Sequence, residues 1–268
     1  MPRPDHLIFL HVQKTAGTTL NNVIDRHYRR SEILTFYNVP MALKFKALPQ
    51  ETRNRYKVLK GHQPFGFHTL FSTGTTEYIT LLREPVDRVI SHYYHLGSDE
   101  THPFHAEYHR EKYSMIQLLE SGKIPNLNNC MVRLYSGEYD RAYDACDETM
   151  LEKALKNLES MALVGLQHEF DVFLWQVALR YHWSFPYYSK RRVSKTRTHT
   201  QTLDAPTRAC IAHYNKLDIE LYRIMKPRIE ALQAGLGDAF YRKLEQFKRR
   251  NAVAGKFLNV YYNLRRAQ

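Results

Sequence analysis

The sequence predicts an α/β protein, with a parallel sheet covered by helices on both faces. Three observations carry that prediction. Short apolar runs alternate with segments of helical periodicity along most of the chain. The run Leu7–Val12 passes through Gln13-Lys14-Thr15-Ala16-Gly17-Thr18-Thr19 into Leu20, Val23 and Ile24 at helical spacing, which reads as strand, turn and helix. A second apolar run, Glu77–Arg83, is followed by Pro85, which suits the first turn of a helix. In an open α/β sheet ligands gather at the carboxyl ends of the strands, so the residues that end these runs are the first to inspect.

The remaining elements follow in chain order. Tyr56–Gly61 alternates as a short strand ending at Gly61-His62, and the helix opened by Pro85 extends to about Leu96. Ser114 caps a short helix over Met115–Glu120, stopped by Gly122 and Pro125. An amphipathic helix over 147–160 precedes a strand at Ala162–Leu166 and a helix from about Glu169 to Tyr181. Turn-forming and polar residues dominate 183–204. A long helix then starts near Pro206 and runs into the 220s, and Gly235 and Gly237 separate it from a final basic helical segment. The 268 residues are expected to form one domain with a basic helical extension from about residue 238.

Charge narrows the partners. A net charge of +12 attracts nucleic acid, anionic membranes, or anionic small molecules and glycans. Much of it is local: Lys190, Arg191, Arg192, Lys195 and Arg197 lie close together, and eight basic residues face one acid, Glu245, from Arg242 onward. No apolar run is long enough to span a membrane. Met-Pro-Arg-Pro-Asp-His leads directly into the first strand, so no signal peptide is expected. Cys130, Cys146 and Cys210 show no C-x-x-C spacing and read as reduced thiols. The expected location is the cytoplasm, with the basic C-terminal segment suited to peripheral contact with a membrane surface.

The first strand–turn–helix unit has the geometry of an anion cradle, in which backbone N–H groups at a helix start converge on one ligand. Lys14 adds a point charge, while Thr15, Thr18 and Thr19 add hydroxyl donors around Ala16 and Gly17. The nucleoside-triphosphate signature G-x-x-x-x-G-K-[ST] sets its lysine directly before the hydroxyl residue. Here the lysine stands three positions before Gly17, which argues against ATP and magnesium as the bound species. The second unit, Leu82-Arg83-Glu84-Pro85-Val86-Asp87-Arg88-Val89-Ile90-Ser91, ends its strand on Arg83 and returns Ser91 to the face of the helix start. An arginine fork with a hydroxyl suits a phosphate monoester. Taken alone, Arg83 paired with Glu84 or Asp87 explains the same residues.

Together, strand-QKTAGTT-helix and strand-LREPVDRVISHYYH resemble the sulfotransferases that use 3′-phosphoadenosine 5′-phosphosulfate. Within them the chain is similar to the carbohydrate group that includes the heparan-sulfate and uronosyl 2-O-sulfotransferases and bacterial homologues. Lys60-Gly61-His62-Gln63-Pro64-Phe65-Gly66, Asn129–Gly137 and Val164–Asp171 extend the likeness, which runs from about residue 6 to 225. The resemblance implies a sheet like that of the P-loop NTPases, the sulfotransferase fold. It implies that Lys14, Thr15, Ala16, Gly17, Thr18 and Thr19 hold the 5′-phosphosulfate, and that Arg83 and Ser91 hold the 3′-phosphate. It places His62 as the base that deprotonates an acceptor hydroxyl on a carbohydrate or glycoconjugate. Some relatives carry a second histidine where Lys60 stands, and Lys60 is a candidate contact to an anionic acceptor. Asn129 and Arg133, four residues apart, are candidates for donor or acceptor contact or for a plain helix-surface pair. Arg192 and Lys195 are similar to a late loop that closes over the nucleotide, or they guide a glycan.

Chemistry supports this donor independently. A sulfuryl group carries less charge than a phosphoryl group, so no divalent ion is required, and the sequence shows no metal-ligand spacing. Of 14 histidines, His62 is the leading base and His68 its rival, while His11, His92 and His95 read as structural. Two other readings compete. A nucleotide kinase or NTPase lacks its G-K-[ST] here. A nucleic-acid or polyanion binder would use the net charge and Tyr261-Tyr262 beside Arg265-Arg266, yet gives the two strand-end motifs no role. The partners expected are therefore a nucleotide sulfate donor and an anionic or polyhydroxylated glycan, not a specific nucleic acid.

Overall fold

A computed structural model of the chain describes residues 3–37, 39–189 and 203–264. The elements run β1 His6–Leu10, α1 Gly17–Ile24, β2 Ile33–Phe36, α2 Val39–Ala47, α3 Gln50–Asn54, β3 Val58–Gly61, β4 Thr76–Leu82 and α4 Pro85–Ser98. They continue with α5 His105–Glu111, α6 Met115–Glu120, α7 Cys130–Ser136, α8 Glu148–Glu159, β5 Leu163–Leu166, α9 Phe170–Arg180, α10 Ala205–Tyr214, α11 Lys216–Ala234 and α12 Gly237–Leu264. The strands form one sheet in the order β2-β3-β1-β4-β5, with every pairing parallel.

Alternation along the central strands explains why β1 is apolar throughout. Ile8 and Leu10 enter a core that also holds Leu59 of β3, Leu82 of β4 and residues of α7, α8 and α11. Leu7 and Phe9 point the other way, to Leu20, Val23 and Ile24 of α1 and Phe173, Leu174 and Val177 of α9. A strand buried on both faces has no solvated side to fill with polar residues. A third cluster joins Val86, Val89 and Ile90 of α4 to α6 and Ile211 of α10.

Expected and observed elements agree closely where local chemistry decides them. Glu84 caps α4 by accepting the N–H groups of Val86 and Asp87 at 3.1 and 2.6 Å, with Pro85 in its first turn. Ser114 and Gln117 form a capping box on α6, and Asp147 caps α8. Besides α2 and α3, which the sequence reading did not contain, the structure differs at three places. β2 is a four-residue strand flanked by turns, too short for its periodicity to register. α5 is likewise a short helix absent from the sequence reading. The helix expected from Pro206 into the 220s is two helices divided at Asn215. That side chain is buried, donating from Nδ2 to the carbonyls of Leu127 and Ile211 and accepting the Asn129 N–H. Among the described residues no helix is long and apolar enough to cross a membrane.

The order β3-β1-β4 decides what the site contains. It sets the carboxyl ends of three consecutive central strands side by side, so the chain after Leu10, Gly61 and Leu82 meets at one sheet edge.

Candidate active site

The loop from His11 to Ala16 folds back on itself between β1 and α1. Lys14 and Ala16 both have left-handed backbones, with φ of 70° and 68°, which turns the chain tightly enough to start α1 at Gly17. Thr15 is buried between them, and its hydroxyl donates to the Val12 carbonyl at 2.8 Å, so it shapes the loop from within. Ala16 has no side chain with which to cap α1. The first turn of α1 carries no acid, and its Thr18 is exposed. Gly17 is required for a separate reason: a Cβ there would lie 1.9 Å from His11 Nε2. The His11 ring therefore packs directly beneath the cradle.

Arg83 joins the two sequence motifs physically. Its Nε and Nη2 donate to Asp87 at 2.7 Å, and its Nη1 donates to the backbone carbonyl of Lys14. Burial and the nearby Arg88 push its pKa down to about 10, so it remains cationic at neutral pH. The pairing with Asp87, the alternative to a phosphate contact, is present, and the same side chain is bonded to the loop carbonyl of Lys14. Ser91 lies one turn beyond Asp87 on the same face of α4 and is part-exposed.

His62 leaves β3 beside the first strand. Gly61 before it has φ of 137°, and a Cβ there would lie 2.1 Å from the Phe36 carbonyl oxygen, so a side chain would push β3 away from β2. The His62 Nδ1 is 2.7 Å from the His11 carbonyl oxygen. A carbonyl only accepts, so Nδ1 carries the proton and Nε2 keeps its lone pair. Burial lowers the His62 pKa, with the bond to His11 opposing that shift, and the ring is neutral at pH 7. The His11 ring lies 4.6 Å from it and is itself held well below its ordinary pKa, first by burial and then by His62, Lys14 and Lys60.

The other expected residues fall elsewhere. Lys60 is turned from any acceptor: its side chain is 4% exposed, and its ammonium pairs with Asp25 at 2.5 Å and reaches the Asn21 carbonyl of α1 at 3.3 Å. Arg133 is corrected from a surface or ligand contact to a structural residue. It is 0% exposed and donates to Asn128, Tyr139, Arg141 and Ala142, which uses its whole guanidinium. Asn129, also buried, accepts the N–H groups of Leu217 and Asp218 and so caps α11. Asp218 returns the favour to α7, accepting from Met131 and Val132 at 3.0 and 2.8 Å. His68 bonds to the Tyr78 hydroxyl at 3.1 Å within a cluster with Phe65, on a part of β4 well before the sheet edge. Arg192 and Lys195 lie outside the described residues.

Arg88 is the residue the sequence reading passed over. Its three guanidinium nitrogens are buried without a hydrogen-bond partner, as are both ring nitrogens of His92 one turn along. Arg88 and Lys14 help hold His92 well below its ordinary pKa, after burial. The i, i+4 spacing of Arg88 and His92 on either side of Ser91 was the available signal. Arg88 is fully buried on α4, and its charge also acts on the buried carboxyl of Asp218, whose pKa burial pushes up and Arg88 lowers.

A family model described as the sulfotransferase family matches residues 1–223. The chain is similar to a crystal structure of a sulfotransferase from Alicyclobacillus acidocaldarius, with 15% identity, a TM-score of 0.41, and coverage of 90% of this chain and 100% of that one. It is also similar to a mouse sulfotransferase, SULT7A1, complexed with PAP, with 11% identity, a TM-score of 0.37, and coverage of 92% and 89%. No curated protein matches. Since the family model matches residues 1–223, most of the chain, the chain belongs to the sulfotransferase family.

Proposed function

We propose that this sulfotransferase moves a sulfuryl group from 3′-phosphoadenosine 5′-phosphosulfate to a hydroxyl of a carbohydrate or glycoconjugate, with His62 as general base. The observation that carries the reading is the bond from His62 Nδ1 to the His11 carbonyl. It fixes the tautomer of the base through the same backbone segment that, three residues later, presents Lys14. Base and cradle are therefore positioned by one loop, and neither moves independently of the other.

The donor supplies an activated sulfuryl group with a phosphate leaving group. His62 Nε2 takes the acceptor's hydroxyl proton as the acceptor oxygen bonds to sulfur and the bond from sulfur to the bridging oxygen breaks. Lys14 and the start of α1 meet the charge that develops on that oxygen, while Thr18 and Thr19 orient the nonbridging oxygens. Arg83 and Ser91 hold the 3′-phosphate, which sets the nucleotide in line for attack. Three of the five N–H donors of Arg83 are used by Asp87 and Lys14, leaving two for a phosphate. The products are a sulfate ester and 3′-phosphoadenosine 5′-phosphate, with the proton on His62. All three cysteines are free thiols, which supports a reducing compartment such as the cytoplasm.

The test is transfer of labelled sulfate by the purified protein to an array of hydroxylated glycans and glycolipids. Donor-dependent labelling that is lost in His62→Ala and Lys14→Ala supports the assignment. Labelling that persists in His62→Ala refutes His62 as base, and magnesium-dependent ATP turnover in its place refutes the donor.

A further inference from the structure

We propose that the outer face of the second half of α12 docks on an anionic lipid bilayer. The inner face of this helix is fixed to the body of the protein. Leu244 and Phe247 are buried, and the Phe247 ring stacks on Trp175 and Tyr187 with centroids 5.2 and 5.8 Å away. Asn251 Oδ1 accepts the Tyr188 N–H at 2.7 Å. A Cβ on Gly255 would lie 2.7 Å from the Tyr188 carbonyl oxygen, so the helix runs close to that segment there. Its orientation is set by these contacts.

Among the described residues the opposite face has no such contacts. Val253, Phe257 and Val260 are 59%, 73% and 59% exposed and recur at i, i+4 and i+7. At about 100° per residue they share a stripe about 60° wide. Exposed Arg249 and Lys256 border one side of it and exposed Arg250 the other. A narrow apolar stripe with basic borders matches a membrane interface, where apolar groups sit at the acyl boundary and cations meet lipid phosphates. Charge complementarity selects this occupant. From Arg242 onward Glu245 is the only acid against eight basic residues, so a second copy of the helix would face like charge across the contact. A soluble polyanion would engage the cations and leave Phe257 in water.

This inference is independent of the chemistry at the sheet edge. Flotation of the full chain with vesicles of phosphatidylglycerol and phosphatidylcholine, or phosphatidylcholine alone, tests it. Binding is expected to the anionic vesicles only, weakening as salt rises. Phe257→Asp, and separately Arg249→Glu with Arg250→Glu, are each expected to weaken it about tenfold or more. These positions are exposed, so melting temperature and circular dichroism are expected to stay at wild-type values. Heparin serves as the soluble polyanion, and Phe257→Asp is expected to leave heparin binding unchanged. The proposal fails if the wild type ignores anionic vesicles, binds neutral ones equally, or keeps full vesicle affinity in Phe257→Asp. It also fails if vesicle and heparin binding fall together in every variant, or if light scattering shows a dimer that Phe257→Asp dissolves.

Discussion

The sheet edge after β1, β3 and β4 and the junction between α7 and α11 use the same residue types to opposite ends. Each has a buried arginine, a turn residue in the left-handed region and a helix start. At the α7–α11 junction every demand is met internally. The five N–H donors of Arg133 all have acceptors, Asn129 caps α11, and Asp218 caps α7. At the sheet edge donors are left over: α1 starts without a side-chain cap, and two of the five N–H donors of Arg83 have no acceptor among the described residues. Saturation marks scaffold, and residual hydrogen-bonding capacity supports the anion site proposed at the sheet edge.

That contrast is broken or sharpened by variants on the two sides. The largest effect is expected for Lys14→Ala and His62→Ala: turnover falls about 10²–10⁴-fold, measured by sulfate transfer, with melting temperature close to wild type. Arg133→Met should do the reverse. It leaves buried carbonyls without donors and is expected to cost about 3 kcal/mol or more in denaturant unfolding, while the folded fraction keeps its turnover number. A loss of turnover per folded molecule in that variant would break the contrast.

Gly17→Ala tests the contact between cradle and base. Its methyl group overlaps the His11 ring, so a cost of about 1–3 kcal/mol is expected, together with a weaker thermal shift on adding 3′-phosphoadenosine 5′-phosphate. Asn129→Ala removes the acceptor for the N–H groups of Leu217 and Asp218. We expect about 1–2 kcal/mol from chemical denaturation and no change in donor binding.

The smallest effect is on pH. His11, His62 and His92 are all held below their ordinary values, chiefly by burial. The unfolded chain therefore takes up protons first, so the stability these groups contribute is present above about pH 6.5 and is lost as pH falls below it. Unfolding free energy followed from pH 7.5 to 5.5 should decline, and the acid limb of turnover should lie below the ordinary histidine value. A decline that begins well above pH 7 would contradict the assignment.

Much of this was legible in the residues because it is local. The run Leu7–Val12 with Lys14, Gly17, Leu20 and Val23 specifies strand, turn and helix through near neighbours, and Glu84-Pro85 specifies a helix start in the same way. Arg83 could be placed at a strand end for that reason. Lys60 could not be placed, because the choice between a glycan and Asp25 depends on how α1 lies over β3. Asn215 gave no sign of dividing a helix, because its partners Leu127 and Asn129 are nearly ninety residues away. Arg133 read as a ligand contact or a helix-surface pair for the same cause: its acceptors are Asn128 and carbonyls in the loop after α7, invisible to composition and spacing.

By itself the sequence determined the α/β class, the strand–turn–helix unit that carries Lys14, the strand end at Arg83 and the histidine after Gly61. Short-range sterics and periodicity suffice for each of these. Only the tertiary structure decided which polar groups are spent. The order β3-β1-β4 brings His62 against the carbonyl of His11 and Arg83 against that of Lys14, while α11 closes over α7 and consumes Asn129 and Asp218. A hydrogen-bonding group belongs to the scaffold or to a ligand according to what lies within about 3 Å of it, and distant segments of the chain set that distance.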